Sequence, residues 1–239
     1  MEAVGEHPIP AGPLAVRWLG YELDTPQAGA LGRARVAVEN AGSAPWRGLN
    51  ISYHWLDDRS NPIVWDGLRF DVDAQPGERV ERELDVRGPI PPGRYRLAFD
   101  LVDEHRFWLA ELGNFTPELD VDVAPRDASE ARAFLPPDAE PDPDWQERVN
   151  AAHADGYSAV GGSIDVRRRP EDLEPYVPGG GRNPAFAHPL VCPSLLPPLE
   201  PNTEVGGLPA WRPEGDEPWL YDARITLRLR PRRRSRTSP

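Results

Sequence analysis

Between Leu14 and Ala124 apolar side chains recur at every second position, and this period constrains the fold more than any other feature of the chain. Tyr95, Leu97, Phe99 and Leu101 alternate with Arg94, Arg96 and Asp100. Ala34, Val36 and Val38 alternate with Arg33, Arg35 and Glu39, and Leu119, Val121 and Val123 with Asp120 and Asp122. Ile51, Tyr53 and Trp55 share one face of another run, with Ser52 and His54 on the other. Successive side chains of an extended chain point to opposite faces, so this pattern reads as half-buried strands. Turn signals separate the runs: Asn40-Ala-Gly42, Asp57 to Pro62, Gln75-Pro-Gly77 and Ile90-Pro-Pro-Gly93. About seven or eight short strands without a helix predict a mainly β unit, an immunoglobulin-like antiparallel β-sandwich over residues 14–124. One strand is imperfect, because Arg82 shares a face with Val80, Leu84 and Val86; this predicts a sheet edge or a bulge.

The same segment holds five of the chain's eight tryptophans: Trp18, Trp46, Trp55, Trp65 and Trp108. Each can bury on the order of 200 Å², an upper bound of roughly 5 kcal/mol, so tryptophan here speaks first of packing. Trp55 is in phase with Ile51 and Tyr53 and belongs to the core, as does Trp18, although its strand alternates poorly. Trp46 and Trp65 flank turns and Trp108 sits at a strand end, where half exposure is expected. These three are the candidate ligand-binding residues, because an indole face packs on the C–H face of a pyranose ring.

Composition narrows the functional classes. A formal net charge of −12 and a pI near 4.9 disfavour nucleic acid as a partner. All 27 basic side chains are arginine. The single Cys192 leaves no internal disulfide. No apolar run has the length of a membrane span. The first residues lack the basic and apolar parts of a signal peptide, which makes a cytoplasmic location the default expectation.

Proline marks a boundary: 30 in all, 19 of them after Ala124. Helix and sheet interiors both exclude frequent proline, so residues 125–230 are expected to be a loop-rich, Pro/Gly-rich region with one short helix. That helix falls at Asp144–Ala154, with Asp144 and Glu147 spaced as a capping box and Asp155-Gly156 as its stop. A short strand follows at 158–160, and Trp219–Leu229 reads as a last strand or a helix. Residues 1–13, with three prolines and two glycines, read as a flexible lead-in. Residues 231–239 read as a disordered tail. Seven arginines between Arg224 and Arg236 suit either a solvated end or docking onto an acidic surface.

No complete catalytic set is present. His54 and His105 are isolated and read as strand or loop residues, while Asp57, Asp58 and Asp66 sit in turns as backbone caps. No nucleophile elbow and no metal-ligand spacing appears.

The run Asn40-Ala-Gly-Ser-Ala-Pro-Trp46, Tyr53-His-Trp55-Leu and Val64-Trp65-Asp-Gly67 resembles the Trp-rich immunoglobulin-like domain of bacterial surface-polysaccharide pathways. It is also similar to the four-tryptophan domain of the autophagy receptor next-to-BRCA1, and more loosely to the polysaccharide-recognising C-terminal domain of O-antigen ABC exporters. The resemblance covers residues 14–124. It implies a non-catalytic module whose partner is a glycan or a polysaccharide-pathway protein.

Residues 135–230 resemble, in degenerate form, the back half of a family 2 glycosyltransferase. Leu135-Pro-Pro-Asp138-Ala-Glu140 stands near the family's acidic triplet, Gly179-Gly-Gly-Arg-Asn-Pro-Ala-Phe186 resembles its acceptor-side segment, and Glu214-Gly-Asp216-Glu217 follows in order. That resemblance implies Asp138 and Glu140 as ligands of Mg²⁺ or Mn²⁺ with a sugar nucleotide, and Asp216 or Glu217 as the base. Pro136 and Pro137 replace the first acidic positions, and the sandwich stands where the nucleotide-binding half belongs. The expected function is therefore a non-catalytic glycan-binding or protein-docking module of surface-polysaccharide assembly. The alternatives are a glycosyltransferase or partial subunit of one, and a structural sandwich for protein contacts only.

Overall fold

A computed structural model describes residues 1–127, 139–165, 203–205, 208–210 and 218–229. The chain divides into two compact units, Met1–Arg126 and Asp127–Pro239.

The first unit is the antiparallel sandwich that the alternation predicts. One sheet contains β1 (Glu2–Ala3), β2 (Val16–Leu23), β3 (Leu31–Asn40) and β7 (Arg79–Arg87), in the order β1-β2-β3-β7. The other contains β4 (Trp46–Leu56), β5 (Pro62–Val64), β6 (Phe70–Ala74), β8 (Gly93–Asp103), β9 (Phe107–Trp108) and β10 (Glu118–Val123). Its main order is β10-β8-β4-β5, with β6 also on β4 and β9 on β8. Val16, Trp18, Val36, Val38, Leu84 and Val86 of the first sheet meet Ile51, Tyr53, Trp55, Leu97, Phe99 and Leu101 of the second in one buried core. Two of its aromatic side chains also bridge the sheets by polar bonds. The Trp55 indole N–H donates to the Arg87 carbonyl at 2.8 Å, and the Arg87 N–H donates to the Tyr53 hydroxyl at 2.9 Å.

Departures from strict alternation have local causes. Arg82 lies on β7, an edge strand whose register with β3 runs unbroken, so the edge rather than a bulge admits the arginine. β2 slips register between Trp18 and Gly20, which accounts for its poor alternation while Trp18 stays in the core, its indole N–H on the Phe115 carbonyl at 2.8 Å. The lead-in is not free, contrary to its composition. Glu2 and Ala3 pair with Tyr21 and Gly20, the Val4 N–H reaches the Leu19 carbonyl at 3.1 Å, and His7 stacks on Phe115 with centroids 4.6 Å apart. Backbone pairing and one ring contact fix what proline and glycine content alone left loose.

In the second unit α1 (Trp145–Ala154) forms where the sequence places it, and its turn ends at Gly156 with φ of 118°. The capping box does not form. Asp144 makes no side-chain cap bond, because its carboxylate accepts from Arg148 Nε at 2.7 Å. β11 (Ala139–Pro141), β12 (Ala159–Asp165) and β15 (Trp219–Leu229) make a sheet in the order β11-β15-β12, with β12 and β15 parallel. Trp219–Leu229 is thus a strand, and β12 runs on through Gly161 and Gly162 with a register shift before Ser163. β13 (Thr203–Val205) pairs antiparallel with β14 (Leu208–Ala210). Among the described residues no helix is long and apolar enough to cross a membrane.

Candidate recognition face on the outer sheet

On β4 the odd positions Leu49 to Trp55 enter the core, so Ser52 and His54 project to the outside of the sheet. On β8 the same logic puts Asp100 outside, opposite Ser52 in the register and diagonal to His54. None of the three is exposed: Ser52, His54 and Asp100 are all buried. A second layer covers them, built from the Trp65–Arg69 segment that follows β5 and from Trp108 on β9.

Trp65 is the lid of this layer. Its ring lies nearly parallel to the His54 imidazole, with centroids 4.1 Å apart and planes at 22°. Trp108 meets His54 edge-on at 4.3 Å with planes at 62°, and Trp65 at 6.1 Å with planes at 72°. The Arg69 guanidinium lies over the Trp108 ring, 4.8 Å from its centroid. Four bonds hold Arg69 there. It donates to Ser52 Oγ at 2.9 Å, the Gly67 carbonyl at 2.6 Å, Asp66 at 2.8 Å and Glu104 at 2.5 Å. Burial works against the charge of this guanidinium, but the Asp66 and Glu104 carboxylates outweigh it and raise its pKa above the ordinary arginine value.

His54 is held by the same segment. Its Nδ1 meets the Trp65 carbonyl oxygen, an acceptor only, so Nδ1 carries a proton. Its Nε2 faces Asp100 Oδ2 at 3.9 Å and, among the described residues, has no hydrogen-bond partner. Asp100 accepts from the backbone N–H groups of Leu101 at 2.7 Å and Ala110 at 3.4 Å. Gly67 completes the fit. Its N–H donates to the Tyr53 carbonyl at 3.0 Å, and a Cβ there would stand 2.5 Å from that same oxygen.

The three candidate tryptophans therefore separate. Trp65 is 49 % exposed and presents one ring face outward. Half exposure is wrong for the other two. Trp46 is buried because the β4–β6 register shifts between Trp46 and Leu49, around Gly48 with φ of 68°. That shift brings an even-numbered residue onto the core face of an odd-numbered strand. Trp108 is buried because Arg69 and His54 pack on it. His54, Asp100 and Arg69 were not legible as a cluster. The only sequence signal for them is the phase of β4 and β8, which becomes informative once the strand register is known.

Of the residues implied by the glycosyltransferase resemblance, Asp138, Asp216 and Glu217 lie outside the described residues. Glu140 lies exposed on β11, at the backbone register of Arg228. Among the described residues no group of three acidic, histidine or cysteine side chains is placed to hold a metal ion.

An immunoglobulin-like sandwich with an aromatic outer face is the class that fold and site define. No protein-family model matches the chain, and no curated protein matches it. Among solved structures it is similar to the C-terminal domain of Wzt, at 7 % identity over 47 % of this chain and 74 % of that one, with a TM-score of 0.35. It is similar to a β-glucosidase from Listeria innocua at 16 % identity over 44 % of this chain and 16 % of the enzyme, TM-score 0.29. For a family 2 β-glucuronidase the values are 9 % identity, 61 % of this chain, 14 % of the enzyme and a TM-score of 0.33. Likenesses this remote assign neither a ligand nor an activity to the chain.

Proposed function

We propose that this protein is a non-catalytic recognition module that binds a glycan of cell-surface polysaccharide assembly through the outer face of Trp65. The observation that carries this reading is the mounting of Trp65. One face of the indole is fixed on buried His54, and the side chain is nevertheless 49 % exposed. A large aromatic ring held rigid before binding loses little side-chain entropy when a sugar stacks on it. Asp66 and Glu104 both bind Arg69, which takes only one oxygen of each, so each keeps a second oxygen able to accept from a hydroxyl. The resemblance of residues 14–124 to Trp-rich modules of surface-polysaccharide pathways supports the class of glycan.

Ile63 favours a second reading, protein docking. It is 46 % exposed and lies on β5, two residues before Trp65. Calorimetric titration of the full chain with bacterial surface oligosaccharides separates the two. Under the glycan reading at least one oligosaccharide binds, Trp65→Ala abolishes binding and Ile63→Ser leaves it within about twofold. Absence of binding across the panel, or equal losses in both variants, favours a protein partner.

A further inference from the structure

On the side of the sandwich where β2 and β10 lie, the two sheets part and leave an open groove of about 700 Å³. β10 forms one wall and is an edge strand, paired only with β8. The Phe99 N–H donates to the Pro117 carbonyl at 3.2 Å, which makes 117 and 99 a hydrogen-bonded pair. Antiparallel pairs alternate, so Leu119, Val121 and Val123 bond inward to β8 while Glu118, Asp120 and Asp122 turn their N–H and C=O groups outward. The next outward position confirms the phase. The Ala124 N–H donates to the Pro26 carbonyl and the Ala28 N–H to the Ala124 carbonyl, each at 2.9 Å. Pairing on this side thus begins at Ala124 and stops there. Among the described residues no hydrogen bond reaches the outward backbone groups of Glu118, Asp120 and Asp122.

The chemistry of the groove specifies its occupant. Tyr21, Leu23, Leu119 and Val121 give it apolar lining, while Glu2, Glu22, Asp24, Glu118, Asp120 and Asp122 bring six carboxylates. Arg96 reaches Glu118 at 3.0 Å, Arg94 reaches Asp120 at 3.3 Å and Arg35 reaches Glu22 at 4.0 Å. Six carboxylates against three guanidiniums leave the groove acidic. A second copy of β10 laid against this edge would set its own acidic side chains opposite these, which opposes self-pairing.

We infer that the β10 edge takes up an extended basic segment of a partner protein as an added strand. The partner's backbone completes the ladder at Glu118, Asp120 and Asp122. Its apolar side chains face the lining of the groove, and alternate Arg or Lys side chains face the carboxylates. This interface is separate from Trp65 and does not depend on the glycan reading.

The test uses the full chain with the capped peptide Arg-Val-Arg-Val-Arg, and Asp-Val-Asp-Val-Asp as control. Hydrogen exchange should slow at the amides of 118, 120 and 122 when the basic peptide is added, and not with the acidic one. Asp122→Asn removes a charge and keeps the outward N–H, whereas Asp122→Pro removes both. The proline variant should therefore bind about fivefold more weakly than the asparagine variant. Should Asp122→Pro fail to fold, Asp120→Pro against Asp120→Asn makes the same comparison, and the exchange result on the unmodified chain stands by itself. Equal affinity of the Asn and Pro variants, protection confined to other amides, or equal binding of the acidic peptide overturns the inference.

Discussion

The Trp65 indole rests on the imidazole of His54, with ring centroids 4.1 Å apart and planes 22° from parallel. The partnership works in both directions. The imidazole gives the exposed ring a rigid floor, and the ring seals a buried histidine whose Nε2 faces Asp100 at 3.9 Å. Trp65 is thus half surface, while the core tryptophans are wholly interior.

That difference has an energetic consequence. Trp65→Ala should lower stability by about 1–2 kcal/mol, since half of the ring is already in water. Trp55→Ala empties a fully buried site and strands the Arg87 carbonyl, so it should cost about 3–5 kcal/mol. Urea unfolding of the two variants side by side measures the contrast.

Gly67→Ala tests how closely the Trp65–Arg69 segment is seated. The added Cβ would meet the Tyr53 carbonyl oxygen at 2.5 Å and the Tyr53 ring at 2.7 Å, neither of which can move without disturbing β4. The expected loss is about 1–3 kcal/mol, with Trp65 displaced from His54. Thermal unfolding together with intrinsic fluorescence reads both effects.

Asn114 joins the start of β2 to the short 3-10 helix Leu109–Leu112. Its Oδ1 accepts from the Val16 N–H at 2.8 Å, and its Nδ2 donates to the carbonyls of Leu109 at 3.0 Å and Leu14 at 3.3 Å. Asn114→Ala leaves these buried groups without their partner and should cost about 2–4 kcal/mol, measurable by denaturant titration. Asn114→Asp should be no milder, because it exchanges two donor bonds for a buried carboxylate facing two carbonyls.

The sandwich was legible because period-2 alternation is a local signal, and Tyr95 to Leu101 carry it almost without interruption. Of the three candidate tryptophans, half exposure was legible for one. Trp65 follows an edge strand and behaves as its position suggests. Trp46 does not, because a register shift at Gly48 changes which face it serves, and no local pattern announces that shift. The pairing of His54 with Asp100 depends on the register of two strands far apart in sequence, and the burial of both depends on the segment that folds over them. In the second unit the helix could be read from its residues, but its cap could not, since Arg148 takes the Asp144 carboxylate.

Alkaline pH should destabilise the sandwich through its tyrosines. Burial pushes the Tyr53 phenol above the ordinary tyrosine value, although the Arg87 N–H on its oxygen pulls the other way. A phenol raised in the folded state contributes stability that is complete below its unfolded pKa and is lost as pH rises through its folded one. Tyr21 and Tyr95 are raised too, first by burial, so the loss is shared. Tm measured from about pH 8 to about pH 11 should fall, and should fall less steeply in Tyr53→Phe. That variant should start about 1 kcal/mol less stable, having lost the acceptor for Arg87.

The central claim is that a ligand stacks on the outer face of Trp65, and the indole N–H resonance of that residue reports it directly. Trp65→Ala identifies its peak among those of the eight tryptophans. Titration of the full chain with an oligosaccharide that binds should shift the Trp65 peak in step with occupancy and leave those of Trp46 and Trp55 in place, and the variant should show no binding. An oligosaccharide that binds without moving the Trp65 resonance, or that binds Trp65→Ala equally well, contradicts the claim.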